Sequence, residues 1–322
     1  MLSERKSDII QTLRGAAIIA VVFIHNTPSR LPQVFIRPFL NFAVGLFLFI
    51  SGMLSSSDRW KPWKRIKKVA VPYLIWTMIY VLLKNFETPS LIPKSFVVNL
   101  LTGKSAAMMY YVFVYIELTL LIPLIDKLAR SRFKLIGFII SPLEIIIMRL
   151  IPLIAGYEMN KYVAAVMSLS CLGWFSYFYL GYLLGNGLLK INVSKPKLYV
   201  MLAIAFLLQI AEGYWYYSMG SQNCGTQLKL SSVLTGCVLM ILIFDFIGSE
   251  RHGGNRPLHL LGDCSFGIYF SHMAFMLILS MIPWYSEYVF YPLNAIIILL
   301  ISCCFVLIGK RLLGKFGRYL AF

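Results

Sequence analysis

Runs without charge recur along the chain, each about long enough to cross a bilayer. A membrane-spanning helix needs about 20 predominantly apolar residues. Ten such runs can be marked, at about 9–27, 36–56, 69–86, 107–126, 135–153, 163–187, 198–217, 230–248, 258–282 and 291–312. The polar stretches between them are short, and the longest reads as a loop at "NFETPSLIPKSFVVNLLTGKS", residues 85–105. No Gly/Ser linker, low-complexity tract or internal repeat interrupts the pattern, and no paired Gly/Pro-broken halves mark an inverted repeat. The expected fold class is all-α: a polytopic membrane bundle of about ten transmembrane helices. Residues 1–322 read as a single integral membrane domain with no fused extracytoplasmic domain. The first run carries Arg14 and lacks a small-residue cleavage site, so it reads as a span and not as a signal peptide.

Composition agrees with the pattern: 59% of residues are hydrophobic, mean hydropathy is +0.76 and only 13% are charged, against roughly a quarter in soluble domains. The net charge of +17 raises the question of nucleic acid, but its placement points to topology. With those at span edges assigned to the adjoining loop, 21 of the 30 Lys and Arg fall at the termini and in the loops after even-numbered spans, and 8 fall in the other loops. Basic residues accumulate on the cytoplasmic side, so both termini are expected there. The partner of this charge is then anionic lipid rather than nucleic acid. Of six cysteines, only Cys224 falls in an outward loop, without an obvious mate, and His252 and His259 are too isolated to suggest a metal site.

Ionisable residues within spans are costly and therefore informative. "TLRGAAIIAVVFIHN", residues 12–26, places Arg14 and His25 eleven residues apart. That is about 16 Å along a helix and close to three turns, so both share one face. Arg14 falls near the cytoplasmic boundary and His25 in the outer half. Snorkelling of Arg14 to lipid phosphate, with His25 at the interface, explains the pair equally well. Ser51 and Gly52 in "FLFISGMLSSS" suit close helix packing. In "RWKPWKRIKKVAVPYLIW", Arg65 and Lys68 lie a turn apart, as a positive-inside anchor or an anion site. Span four carries Tyr111, Tyr115 and Glu117; this carboxylate can pair with Arg14, line a ligand path or face water. "LGDCSFGIYFSHMAF" places Asp263 and His272 at the ends of a partly apolar turn region. Glu144 and Arg149 suggest an internal ion pair in span five.

Taken in order, these stretches resemble the acyltransferase-3 family of integral membrane O-acyltransferases. "LRGAAIIAVVFIH" resembles the family's opening Arg-to-His motif. "LFLFISGML", "KRIKKVAVPY", "YYVFVYIELTLLIP", "FYLGYLLG" and "LGDCSFGIYFSHM" resemble its later motifs, over nearly the whole chain. The resemblance implies transfer of an acyl group, usually acetyl, from cytoplasmic acetyl-CoA to an acceptor hydroxyl. The family's catalytic histidine and arginine carry over to His25 and Arg14. Coenzyme A phosphates would be met by Arg14, Arg65 and Lys68. Lys68 stands where the family often has a second arginine, so the charge is kept but the bidentate fork is not. Candidates along the substrate path are Ser51, Tyr111, Glu117 and His272. The expected partners are the acyl-CoA donor, a sugar or cell-surface polysaccharide acceptor or its lipid-linked precursor, and membrane lipid. A homodimer or envelope-polymer assembly proteins are further candidates. The expected place is a bacterial cytoplasmic membrane, multi-pass, and no metal is expected. Aromatic outward stretches such as "EGYWYYSMG" suit either sugar stacking or the interfacial belt. Two other functions compete: an exporter of glycans or lipid-linked intermediates, with His25, Glu117 and His272 along its path, and a non-catalytic scaffold.

Overall fold

A computed structural model describes residues 4–249 and 254–322; His252 lies outside them. Eight helices are long and apolar enough to cross a membrane, and up to ten spans result if each of two bent pairs counts as one. They are α1 (Glu4–Asn26), α2 (Leu31–Met53), α3 (Pro62–Lys84), α4 (Pro89–Thr102) bent by 43° against α5 (Ala107–Leu120), α6 (Lys134–Ala155), α7 (Lys161–Leu169) bent by 44° against α8 (Leu172–Gly185), α9 (Lys195–Ser218), α10 (Leu230–Gly248), α11 (Arg256–Ser280) and α12 (Leu293–Leu313). Among the described residues there are no strands. In lipid every backbone N–H and C=O needs an internal partner, which the helix supplies. The protein is an all-α polytopic membrane bundle.

Apolar burial does not hold helices together in lipid, because the tails are as apolar as the side chains; close backbone approach does. Two pairs show it. Between α1 and α11, a Cβ on Gly15 would collide with the Leu258 carbonyl, and one on Gly262 with the Gln11 carbonyl. Between α2 and α8, Cβ atoms on Gly52, Gly181 and Gly185 would strike the carbonyls of Phe178, Phe49 and Met53. In each pair glycine on one helix faces the backbone of the other, and these are the two most extensive helix contacts. Polar tethers join α1, α11 and α12 at the Arg14 end: Gln11 donates to Asp263 Oδ1 at 2.7 Å, and Lys310 to the Asp263 carbonyl at 2.9 Å. Helices α6 and α9 lie at the rim, with Leu143, Ile147, Ile204 and Leu207 exposed to lipid.

Several expectations change. Residues 85–105 are not a loop: α4 fills most of them, ending where Gly103 adopts φ +63°. The stretch "SFVVNLL" is too short to span alone and was masked by its polar flanks. Expected span six is broken at residues 170–171, and expected span four begins only after the 43° bend that follows α4. Glu117 serves the second break: its carboxylate accepts the Cys171 N–H at 2.6 Å, satisfying a backbone donor that the bend frees. Asp263 and His272 lie on the one continuous helix α11, with no turn region between them. Glu144 and Arg149 close no ion pair within 4 Å; a π-turn over Ile146–Leu150 lies between the acid and the end of that segment, widening the helix there. All six cysteines are free, and Cys224, expected in an outward loop, is buried with its thiol on the Arg30 carbonyl.

Candidate active site

A cavity of about 810 Å³ opens at the Arg14 end of the bundle. Its rim carries Arg14, Lys67, Lys68 and Arg318, and no Asp or Glu side chain lines it. Arg14 is positioned by α1 and steadied by the Gln11 side-chain oxygen at 3.2 Å. Lys67 and Lys68 come from the first turns of α3, which starts at Pro62, a residue with no N–H to waste. Arg318 arrives from the 3-10 helix Gly314–Leu320, which folds back so that Trp76 donates to the Leu320 carbonyl at 3.1 Å. Phe322 packs beside Gly267 and Gly309, where a larger residue would have no room.

Deeper in, the wall becomes apolar and aromatic: Phe47, Tyr111, Tyr115, Phe266 and Tyr269, with Ser51 and Ser265 among them. Tyr111 and Tyr269 lie 5.6 Å apart between ring centres, and Tyr269 is pinned through its hydroxyl to the Met108 carbonyl. On α1 the deepest lining residue is Val21. Arg14, Val21 and His25 share a face at spacings of seven and four, so His25 lies about 6 Å further along the axis.

His25 is half-buried and stands against His272, ring centres 5.2 Å apart at 44°. His272 is fully buried on α11, and its Nδ1 lies 2.9 Å from the Ile268 carbonyl. A carbonyl only accepts, so Nδ1 carries a proton, and in the neutral imidazole Nε2 is a bare lone pair. That Nε2 is buried without a hydrogen-bond partner. The glycine contacts between α1 and α11 bring the two rings this close.

Beyond His25, towards the end expected to face outward, lies a third polar region. Lys229, fully buried before α10, donates to the carbonyls of Gln209 at 3.2 Å and Cys224 at 3.1 Å. Burial pulls its ammonium down to about 8, opposed by the charge of Glu212. Glu212 accepts from the Leu230 and Ser231 backbone N–H groups and the Ser231 hydroxyl, a site that favours an anion at a helix start. Asn41 donates to the Gln209 side-chain oxygen at 2.7 Å. Arg37 donates to the Ile24 carbonyl at 3.2 Å.

Of the residues singled out in the sequence, the cavity gathers Arg14, Ser51, Lys68, Tyr111 and Tyr115. His25 and His272 lie together past its inner end. Arg65 is turned away from the cavity, onto the Ser55 hydroxyl at 2.7 Å and the Leu54 carbonyl at 3.4 Å, where it caps the end of α2. Glu117 is spent on the Cys171 backbone. Sequence reading missed Arg318 and Tyr319, which reach the cavity only by the fold-back of the last segment, and Arg37, which looked like one more loop charge.

The acyltransferase-3 model, described as an acyltransferase domain, matches residues 8–311. No curated protein and no solved structure matches the chain. The match covers nearly all of the sequence, from α1 into α12, and the chain belongs to the acyltransferase-3 family. It is a membrane acyltransferase.

Proposed function

We propose that the protein moves an acyl group, acetyl in the first instance, from cytoplasmic acyl-coenzyme A to a hydroxyl of a cell-surface polysaccharide or its lipid-linked precursor. The observation that carries this reading is the cavity: cationic at its rim with no Asp or Glu side chain, apolar within, and ending one helical turn from His25. A donor that is phosphorylated at one end and bears a thioester at the end of a long neutral arm has the same polarity. Arg14, Lys67, Lys68 and Arg318 would hold the phosphates, with the two guanidiniums supplying planar forks and the lysines point charges. Serine and tyrosine along the wall would guide the arm.

At the inner end, His25 would take the proton of the acceptor hydroxyl as its oxygen attacks the thioester carbon. The carbon–sulfur bond breaks, the thiolate leaves, and it receives that proton, so the free thiol of coenzyme A departs with His25 neutral again. His272 presents an unprotonated Nε2 close by, and would position His25 and accept a hydrogen bond from its protonated form. Basic-residue placement supports the orientation, with both termini and the cavity mouth in the cytoplasm and the acceptor arriving from the outer side of a bacterial cytoplasmic membrane.

The test supplies labelled acetyl-coenzyme A to membranes containing the protein and counts base-labile label in envelope glycans. Label with wild type and none with His25→Ala, at equal protein levels, is expected. Label that persists in His25→Ala overturns the histidine's role. The two bent spans favour a second reading, glycan export, since broken helices line many transport paths; it predicts glycan movement into vesicles without any acyl donor.

A further inference from the structure

Resting on the transfer reading above, we infer that the acceptor carries an anionic group, a carboxylate or phosphate, and that Arg37 binds it beside the reacting hydroxyl. Arg37 opens the 3-10 turn Arg37–Phe39 that interrupts α2. It donates one bond, to the carbonyl of Ile24, the residue next to His25. Its Nε is enclosed without a hydrogen-bond partner, and among the described residues no carboxylate pairs with it. Gly225 packs against its stem, where a Cβ would come within 2.6 Å of Arg37 Cδ, so the side chain is braced.

A guanidinium does not shed its proton, and a charge held away from water without a counter-ion is costly. The neighbouring charges do not supply one. The buried or part-buried acids of this part of the bundle are Glu117, Glu144 and Glu212. Glu212 is committed to the start of α10, Glu117 accepts the Cys171 N–H, and Glu144 lies against Gly173. None of the three forms an ion pair with Arg37. Asn41 Oδ1 and Gln227 Oε1 are also enclosed and unpartnered. They are acceptors, suited to hydroxyl donors of a sugar ring. A braced guanidinium with an unpartnered Nε, at the same end of the bundle as bare acceptors, matches an acidic sugar better than a neutral one.

The experiment gives purified protein labelled acetyl-coenzyme A and three matched acceptors: a glucuronate-containing oligosaccharide, its neutral methyl ester, and the neutral oligosaccharide bearing a phosphate. Wild type is expected to favour at least one anionic acceptor over the ester by about tenfold or more in kcat/KM, as a charged hydrogen bond implies. The two anionic arms separate carboxylate from phosphate. Arg37→Gln should bring that ratio close to one, and Arg37→Lys should restore much of it. Equal use of ester and acids by wild type, or a ratio that survives in Arg37→Gln, overturns the inference and leaves the transfer reading standing. No label on any of the three, with wild type, counts against the transfer reading and takes this inference down with it.

Discussion

The two ends of α1 handle positive charge differently. At the Arg14 end, Lys67, Lys68 and Arg318 are exposed around a wide cavity, where water and salt reduce the worth of each to a fraction of a kcal/mol. At the His25 end, Lys229 is fully enclosed and Arg37 and Arg149 are part-buried. An exposed cationic rim tolerates the loss of any one member and suits a ligand that must enter and leave. An enclosed site does not tolerate such loss, and suits selection. Between them sits the His25–His272 pair, held by a helix contact without slack.

That contrast orders the predictions. The largest effect belongs to the centre: His25→Ala should lower acyl transfer by at least about 10²-fold, the lower range for loss of general base catalysis, measured with labelled donor at matched expression. Next is the contact that holds the pair. Gly15→Val places a side chain against the Leu258 carbonyl, and overpacking of this kind costs about 1–3 kcal/mol or more; a lower melting temperature in detergent and loss of transfer are expected together. A wild-type melting curve for Gly15→Val would mean that α1 and α11 are not so tightly joined.

Glu117 provides a sharper test of structure against chemistry. Glu117→Ala leaves the Cys171 N–H without its acceptor, at about 1–3 kcal/mol, whereas Glu117→Gln keeps a carbonyl oxygen there and should melt near wild type. Equal loss in both would show that the charge itself matters. The smallest effects belong to the rim. Lys68→Ala and Arg318→Ala should each raise KM for acetyl-coenzyme A about two- to fivefold, less at high salt, with kcat little changed. A loss of kcat/KM larger than that for His25→Ala would reverse the contrast between rim and centre.

Much of this was legible from residue order. The all-α class and all ten apolar runs could be read because a span in lipid satisfies its own backbone and declares itself by length and hydropathy. The shared face of Arg14 and His25 was legible for a related reason: within one helix, spacing alone sets direction. The two breaks were harder. Gly103 signalled the first, but residues 170 and 171 are Ser and Cys, which ordinarily continue a helix.

What residue order left open was every relation between distant segments. Glu117 had three possible partners on paper, and its actual partner is a backbone N–H from another span. Arg65, with its bidentate fork, looked a better phosphate ligand than Lys68, yet it caps α2 while Lys68 lines the cavity. His272 became the neighbour of His25 only through the glycine-to-backbone contact of α1 with α11, and Arg318 reached the cavity only through the fold-back of the last segment. Local periodicity says where along a helix a side chain points. Which other helix it meets depends on the packing of the whole bundle, and no single segment encodes that.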